Sequence, residues 1–149
     1  MPDALPDIRT PPDPANKHKI VLGVDDTPRH LRLLAQCIRA GGYTFLGATS
    51  CAECMSFVAR VKPRLILLDV SMPEVDGYTI CRRLRADTSL NQVPIAFLTS
   101  RNTPDDVRIG LEAGANDFIL KPLAFARLME RVQYWTSRRV GSGMLARPA

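Results

Sequence analysis

Five polar positions close apolar runs that have no packing reason to end that way. Asp25 and Asp26 follow Ile20 to Val24, Asp69 ends the run begun by Leu65, Thr99 ends the run begun by Val93, and Lys121 follows Asp117 to Leu120. Carboxylates gathered at one point repel each other. A hard divalent cation relieves that repulsion, and Mg2+ suits a few carboxylates, a carbonyl and retained waters. A lysine ammonium adds a point charge able to meet a carboxylate or phosphoryl oxygen, and a threonine hydroxyl adds a donor. Such a set can stabilise a phosphoryl group in transit. A carboxylate can also be the nucleophile, giving an aspartyl phosphate. Taken singly, each residue has an ordinary reading: Asp25 and Asp26 as turn residues before Thr27, Asp69 as a loop carboxylate, Lys121 as a snorkelling surface lysine.

That chemistry needs the groups to meet, and the rest of the chain supplies a frame. Strands are predicted at Ile20 to Val24, Thr44 to Ala48, Leu65 to Asp69, Val93 to Thr99 and Asp117 to Leu120. Between them, Thr27 is placed as an N-cap with Pro28 at the first helical position. Leu31, Leu34 and Ile38 then recur at helical spacing until Gly41 and Gly42 stop the helix. Further helices are expected over Ser50 to Val61, Tyr78 to Arg85, from the Thr103–Pro104 start to about Gly114, and from Pro122 to about Thr136. Asp105 and Asp106 favour the dipole of the fourth. Alternating short apolar strands and helices predict an α/β fold with a parallel sheet covered on both faces. Right-handed crossovers prune the topologies. The favoured one is flavodoxin-like and doubly wound, five strands in the order 2-1-3-4-5 with five helices, and its ligands sit at the carboxyl ends of the strands.

With 149 residues, 46% of them hydrophobic and 23% charged, the chain is expected to be one ordinary globular domain and not disordered throughout. No apolar run approaches the roughly 20 residues of a membrane span, and no charged-then-apolar leader opens the chain, so the expected compartment is the cytoplasm. Residues 1–18 are read as a proline-rich arm, 19–136 as the folded domain and 137–149 as a tail. Most of the net charge of +5 sits in that tail, on Arg138, Arg139 and Arg147, which argues against a basic nucleic-acid-binding face. Cys51 and Cys54 have C-x-x-C spacing, but no second pair completes a zinc site, and buried thiols on a helix are preferred to a redox pair.

The motifs Asp25–Asp26, Leu67 to Gly77 (Leu-Leu-Asp-Val-Ser-Met-Pro-Glu-Val-Asp-Gly), Thr99–Ser100 and Gly114 to Pro122 occur in this order at the strand ends. Together they resemble the CheY-like receiver domain of two-component response regulators, over about residues 19–136. The resemblance implies that Asp69 takes a phosphoryl group from a phosphohistidine on a sensor histidine kinase or phosphotransfer protein. It implies that Asp26, Asp69 and the Ser71 backbone carbonyl bind Mg2+ directly, with Asp25 acting mainly through water. Thr99 would hydrogen-bond the phosphoryl group and Lys121 would pair with it. Phe118 would be a switch aromatic that turns inward when Thr99 moves; as a bare residue it is equally plain core. Ser71 and Arg101 would flank the attacking water and tune the phosphoryl lifetime. The Lys121–Pro122 bond would often be cis.

Output in such a domain runs through the face of the fourth helix, fifth strand and fifth helix. Here that face is assigned Arg108, Glu112, Asp117, Arg127 and Arg131, suited to a homodimer or another partner. With only a short tail after Thr136, a stand-alone receiver is expected, a signalling switch and not an enzyme with substrate turnover. Two rivals are a pseudo-receiver that binds partners without phosphate and a haloacid-dehalogenase-like phosphohydrolase. The second wants another Asp two residues after the nucleophile, where Ser71 stands. Direct nucleic-acid binding has no aromatic interleaving or recognition helix behind it.

Overall fold

The computed structural model describes residues 8, 19–72 and 75–137. Five strands, β1 (Ile20–Val24), β2 (Thr44–Ala48), β3 (Leu65–Asp69), β4 (Ile95–Thr99) and β5 (Asp117–Leu120), alternate with five helices. These are α1 (Pro28–Ala40), α2 (Cys51–Arg60), α3 (Gly77–Ala86), α4 (Pro104–Ala113) and α5 (Phe125–Thr136), and a 3-10 turn at Thr88–Leu90 follows α3. All strand pairs are parallel, in the order β2-β1-β3-β4-β5. The predicted architecture is therefore the observed one.

The pleat of the central strands divides the core into two layers. Leu65 and Leu67 of β3, with Ala96 and Leu98 of β4, pack with Leu31, Ile38, Leu128 and Trp135 of α1 and α5. Ile66 and Leu68, with Ile95 and Phe97, face Cys54, Phe57, Ile80, Leu84 and Ala113 of α2, α3 and α4. Both faces of the sheet are thus buried, which is why β1, β3 and β4 are apolar at almost every position.

Three local expectations change. Thr27 is the N-cap of α1 but its side chain makes no capping bond; its N–H is instead taken by Asp25 Oδ1 at 2.9 Å. The fourth strand starts at Ile95, because Pro94 offers only its carbonyl, which accepts from Ile66 N–H. The last helix starts at Phe125, three residues later than its proline suggests. The first helical N–H to bond back is that of Leu128, to the Ala124 carbonyl, and no side chain caps the start. Residues 121–124 form the turn before it, and the Lys121–Pro122 peptide is cis.

Of the proposed arm, Ile8 is described, and it is docked. Its carbonyl accepts from Gly47 N–H on the edge strand β2 at 2.6 Å, and its side chain is 5% exposed within the α1 and α5 layer. The other residues of the arm, Pro73 and Glu74 of the long motif, and the basic tail beyond Ser137 lie outside the described residues. No helix among the described residues is long and apolar enough to cross a membrane.

Candidate functional site

The strand ends bring the acidic trio together. One oxygen from each of Asp25, Asp26 and Asp69 lies within 4.8 Å of the other two. Asp25 is placed by β1: its N–H bonds the Ala48 carbonyl of β2 at 3.0 Å. Both of its oxygens are engaged by the chain, Oδ1 by Thr27 N–H at 2.9 Å and Oδ2 by His30 Nδ1 at 3.2 Å. Burial pushes the Asp25 carboxyl above its ordinary value, and the negative charge of Asp69 pushes it the same way; Thr27 N–H and His30 pull against both. His30 was not a sequence candidate. Its signal was its place in the first turn of α1, three residues past the N-cap Thr27 and next to the end of β1 that carries Asp25.

Asp69 is 4% exposed at the end of β3. Its Oδ1 accepts from Lys121 Nζ at 3.1 Å and from Ser71 N–H at 3.3 Å. Gly77 keeps the loop after β3 tight: its N–H bonds the Val70 carbonyl, and an added Cβ would overlap the Asp69 carbonyl oxygen and stand 2.9 Å from Val70 Cα. Thr99, 3% exposed, accepts from Arg101 N–H at Oγ1 (2.8 Å), which leaves the hydroxyl hydrogen free to donate elsewhere. Its carbonyl accepts from Lys121 N–H at 2.9 Å, tying the turn after β5 to the end of β4.

Ser71 and Arg101 are exposed beside these groups. Burial and the negative charge of Asp106 push the Tyr78 hydroxyl above its ordinary value, against the pull of the Arg101 guanidinium. Phe118 is half-buried, its ring centroid 5.7 Å from that of Phe97. The donor set is therefore three carboxylates with an ammonium at one side, hard oxygen ligands of the kind that suit Mg2+. Beside them a cavity of about 350 Å3 opens between α1 and α5, its walls including Leu33, Leu123 and Phe125 as well as Asp25, His30 and Lys121. Leu33 and Phe125 are each 51% exposed.

The thiols are not part of this chemistry. Cys51 and Cys54 are both buried, and burial with the neighbouring Cys51 pushes the Cys54 thiol up to about 12. Cys81 is likewise pushed up by burial to about 11. On the output face the expectation needs revision. Asp117 is 3% exposed, paired with Arg131 at 2.6 Å and accepting from Trp135 Nε1 at 2.8 Å. Arg108 is paired along its own helix with Glu112. Asp117 is thus a core ligand, not a surface charge.

A five-stranded doubly wound sheet with an acidic trio, a lysine and a threonine at its carboxyl edge defines a receiver-type α/β domain. The family model described as the response regulator receiver domain matches residues 21–133, and the chain belongs to that family. Among relatives, the response regulator PleD of Caulobacter vibrioides is 37% identical over 116 residues, 78% of this chain and 26% of its own. The transcriptional regulatory protein PrrA of Mycobacterium tuberculosis is 38% identical over 119 residues, 80% of this chain and 50% of its own. This chain thus spans half or less of those relatives' length. A putative response regulator from Chloroflexus aurantiacus superposes with a TM-score of 0.75 at 32% identity, over 80% of this chain and 98% of that one. The receiver domain of the sensor histidine kinase PA1611 from Pseudomonas aeruginosa, solved with a magnesium ion in its active-site cleft, gives 0.73 at 29% identity, over 80% and 98%.

Proposed function

We propose that this receiver domain is a phosphorylation switch in which Asp69 carries the phosphoryl group. The observation that supports this best is Lys121 Nζ held 3.1 Å from Asp69 Oδ1 at the rim of the carboxylate trio. Neither Lys121 nor Ser71 N–H occupies Asp69 Oδ2. That oxygen attacks phosphorus; the O–P bond forms as the N–P bond of a donor phosphohistidine breaks, and the imidazole leaves with the electron pair. Lys121 neutralises charge on the phosphoryl oxygens and Thr99 donates its hydroxyl to them. Return is by water attack on phosphorus, with Ser71 and Arg101 bordering its approach; inorganic phosphate leaves and Asp69 is restored. Asp26, Asp69 and the Ser71 carbonyl would hold Mg2+, with Asp25 behind a water because both its oxygens are already engaged. Bound there, Mg2+ supplies charge neutralisation for phosphoryl oxygens.

The donor is a sensor histidine kinase or phosphotransfer protein, and the apolar cavity walls beside the site are where it seats. Output passes through Phe118 to the α4–β5–α5 face. A homodimer there would rest on Arg108, Glu112 and Arg127, since Asp117 is withdrawn into the core. A phosphohydrolase is disfavoured because Ser71 stands where its second carboxylate belongs.

The test is intact mass after incubation with Mg2+ and a small acyl phosphate. A gain of one phosphoryl group, absent in Asp69→Asn and with chelator, is the expected result. No gain in the folded wild type overturns the proposal in favour of a phosphate-independent binding module.

A further inference from the structure

Gly110 stands in the second turn of α4, inside a helix, where glycine is the poorest helix former after proline. It is not at the cap; Gly114, with a positive φ of 108°, fills that role. Gly110 is buried, so contact with solvent does not account for it. What accounts for it is a ring. A Cβ at this position would overlap Phe118 Cζ, stand 2.7 Å from Phe118 Cε1 and stand 3.2 Å from Phe97 Cε2. The bare Cα of Gly110 is therefore one wall of the slot in which Phe118 lies, and Phe97 is the other.

The two neighbours differ in how they could yield. Phe97 is fully buried in the centre of the α2–α3–α4 layer and is held edge-on by Tyr78, centroids 5.2 Å apart. Phe118 is half-buried, on the edge strand β5, and its ring is reached at its far end. A methyl at residue 110 thus meets one partner that cannot move and one that can swing toward solvent. The C-terminal end of α4 cannot retreat to make room: Arg85 donates to the Gly114 carbonyl at 2.9 Å, the Leu90 carbonyl at 2.8 Å and Asn116 Oδ1 at 2.7 Å.

We propose that Gly110 is a positioning residue for the output aromatic: its missing side chain keeps the Phe118 ring seated between α4 and Phe97, and the size of residue 110 sets the balance between that seat and a ring turned outward. The assignment deepens the switch reading of Phe118 and rests on it for its consequence, while the ring position is independent of phosphate.

The experiment uses the full chain with ring-labelled phenylalanine and NMR, the Phe118 signals assigned by their loss in Phe118→Leu. In Gly110→Ala the Phe118 signals are expected to shift and the Phe97 to Phe118 ring contact to disappear, with the other rings little moved. Melting separates this from a bare helix effect. Gly110→Ala is expected to lower Tm or leave it unchanged with Phe118 present, and to raise it in the Phe118→Leu background, where the slot has room. Unmoved Phe118 signals together with the same Tm gain in both backgrounds overturn the proposal. Acyl-phosphate labelling of each protein is read by mass in parallel. Labelling with Mg2+ in wild type and variant alike, with the phosphate-induced shift of Phe118 signals lost only in the variant, supports the consequence; the same shift in both overturns it. Absence of labelling in both removes the switch reading, and the ring measurement still decides the seat.

Discussion

Lys121 and Asp69 leave strands that do not touch, yet their side chains meet. β4 lies between β3 and β5, and the ammonium crosses its end to reach Asp69 Oδ1 at 3.1 Å. The reach is set by the backbone, since Lys121 N–H is held to the Thr99 carbonyl at 2.9 Å. One backbone hydrogen bond therefore ties the residue that carries the ammonium to the strand end that carries the Thr99 hydroxyl. Removing the charge with Lys121→Met should leave the fold intact and slow acyl-phosphate labelling of Asp69 about 100-fold, the usual cost of losing one preorganised charge-stabilising donor. Time-resolved intact mass reads this directly. An unchanged labelling rate would show that the pair is only structural.

The carboxylate trio should make the fold respond to divalent metal. A ligand that binds only the native state at about 100 times its Kd stabilises it by about 2.7 kcal/mol. For a domain of this size that is a rise in Tm of roughly 5–10 °C. We expect Mg2+ to produce it, chelator to reverse it, and Asp26→Asn to reduce it sharply, because Asp26 shares the 4.8 Å cluster. Sodium at equal ionic strength serves as the control for screening.

The same strand ends show what the sequence could and could not convey. Asp25, Asp69, Thr99 and Lys121 were legible because each breaks an apolar run at a place where the doubly wound order converges its ligands. His30 was not, because a lone histidine in the first turn of a helix looks like surface until its partner carboxylate is placed. Asp117 was misjudged as a surface charge: alternation along a four-residue strand does not reveal that Arg131 and the Trp135 indole, about two and three turns into the following helix, close over it. Ile8 was illegible for another reason. It sits, like Leu5, in an arm rich in prolines and acids with no periodic apolar pattern, and its burial depends on Gly47 leaving space for it on β2, where a Cβ would meet Ile8 Cβ at 3.0 Å.

Native alkylation should distinguish the four thiols. Cys37 is half-exposed, whereas Cys51, Cys54 and Cys81 are buried. With Cys54 pushed up to about 12 and Cys81 to about 11, neither forms thiolate in the folded protein between pH 7 and 9. Iodoacetamide at pH 8 is expected to label Cys37 and leave the other three until denaturant is added. The sign of the linkage follows. The unfolded thiols lose their protons near 9.0, so their contribution to stability is complete below pH 9 and falls as pH rises toward 12. A second native label at Cys54 would contradict the packing of α2.

Gly77 should not tolerate a side chain. Its Cα lies against the backbone that carries Asp69, and backbone, unlike a ring tip, cannot swing aside. Gly77→Ala is expected to cost about 2 kcal/mol, the range for overpacking, and to slow labelling of Asp69, because the displaced loop carries Ser71 N–H away from Oδ1. Chemical denaturation and intact mass together decide it; a neutral variant would mean the loop after β3 relaxes freely.

Asp117 and Arg131 offer the sharpest separation of a core role from a surface one. The carboxylate accepts from Arg131, from Trp135 Nε1 at 2.8 Å and from Phe118 N–H at 2.8 Å, so it fastens α5 to β5 at the strand that carries the aromatic. Removing one partner of a buried pair leaves an uncompensated charge, at a cost of about 3 kcal/mol or more. Asp117→Asn keeps an acceptor for the indole but strands the guanidinium, and Arg131→Met strands the carboxylate. Each should therefore destabilise by about that amount. The double variant strands neither, and a double-mutant cycle should recover much of the loss as a coupling energy, up to about 3 kcal/mol for residues in contact. If these were surface charges serving a dimer, the single variants would leave monomer stability nearly unchanged and the coupling would vanish at low protein concentration. Denaturant melts at two concentrations a hundredfold apart tell the two apart: a pair inside one chain gives the same coupling at both.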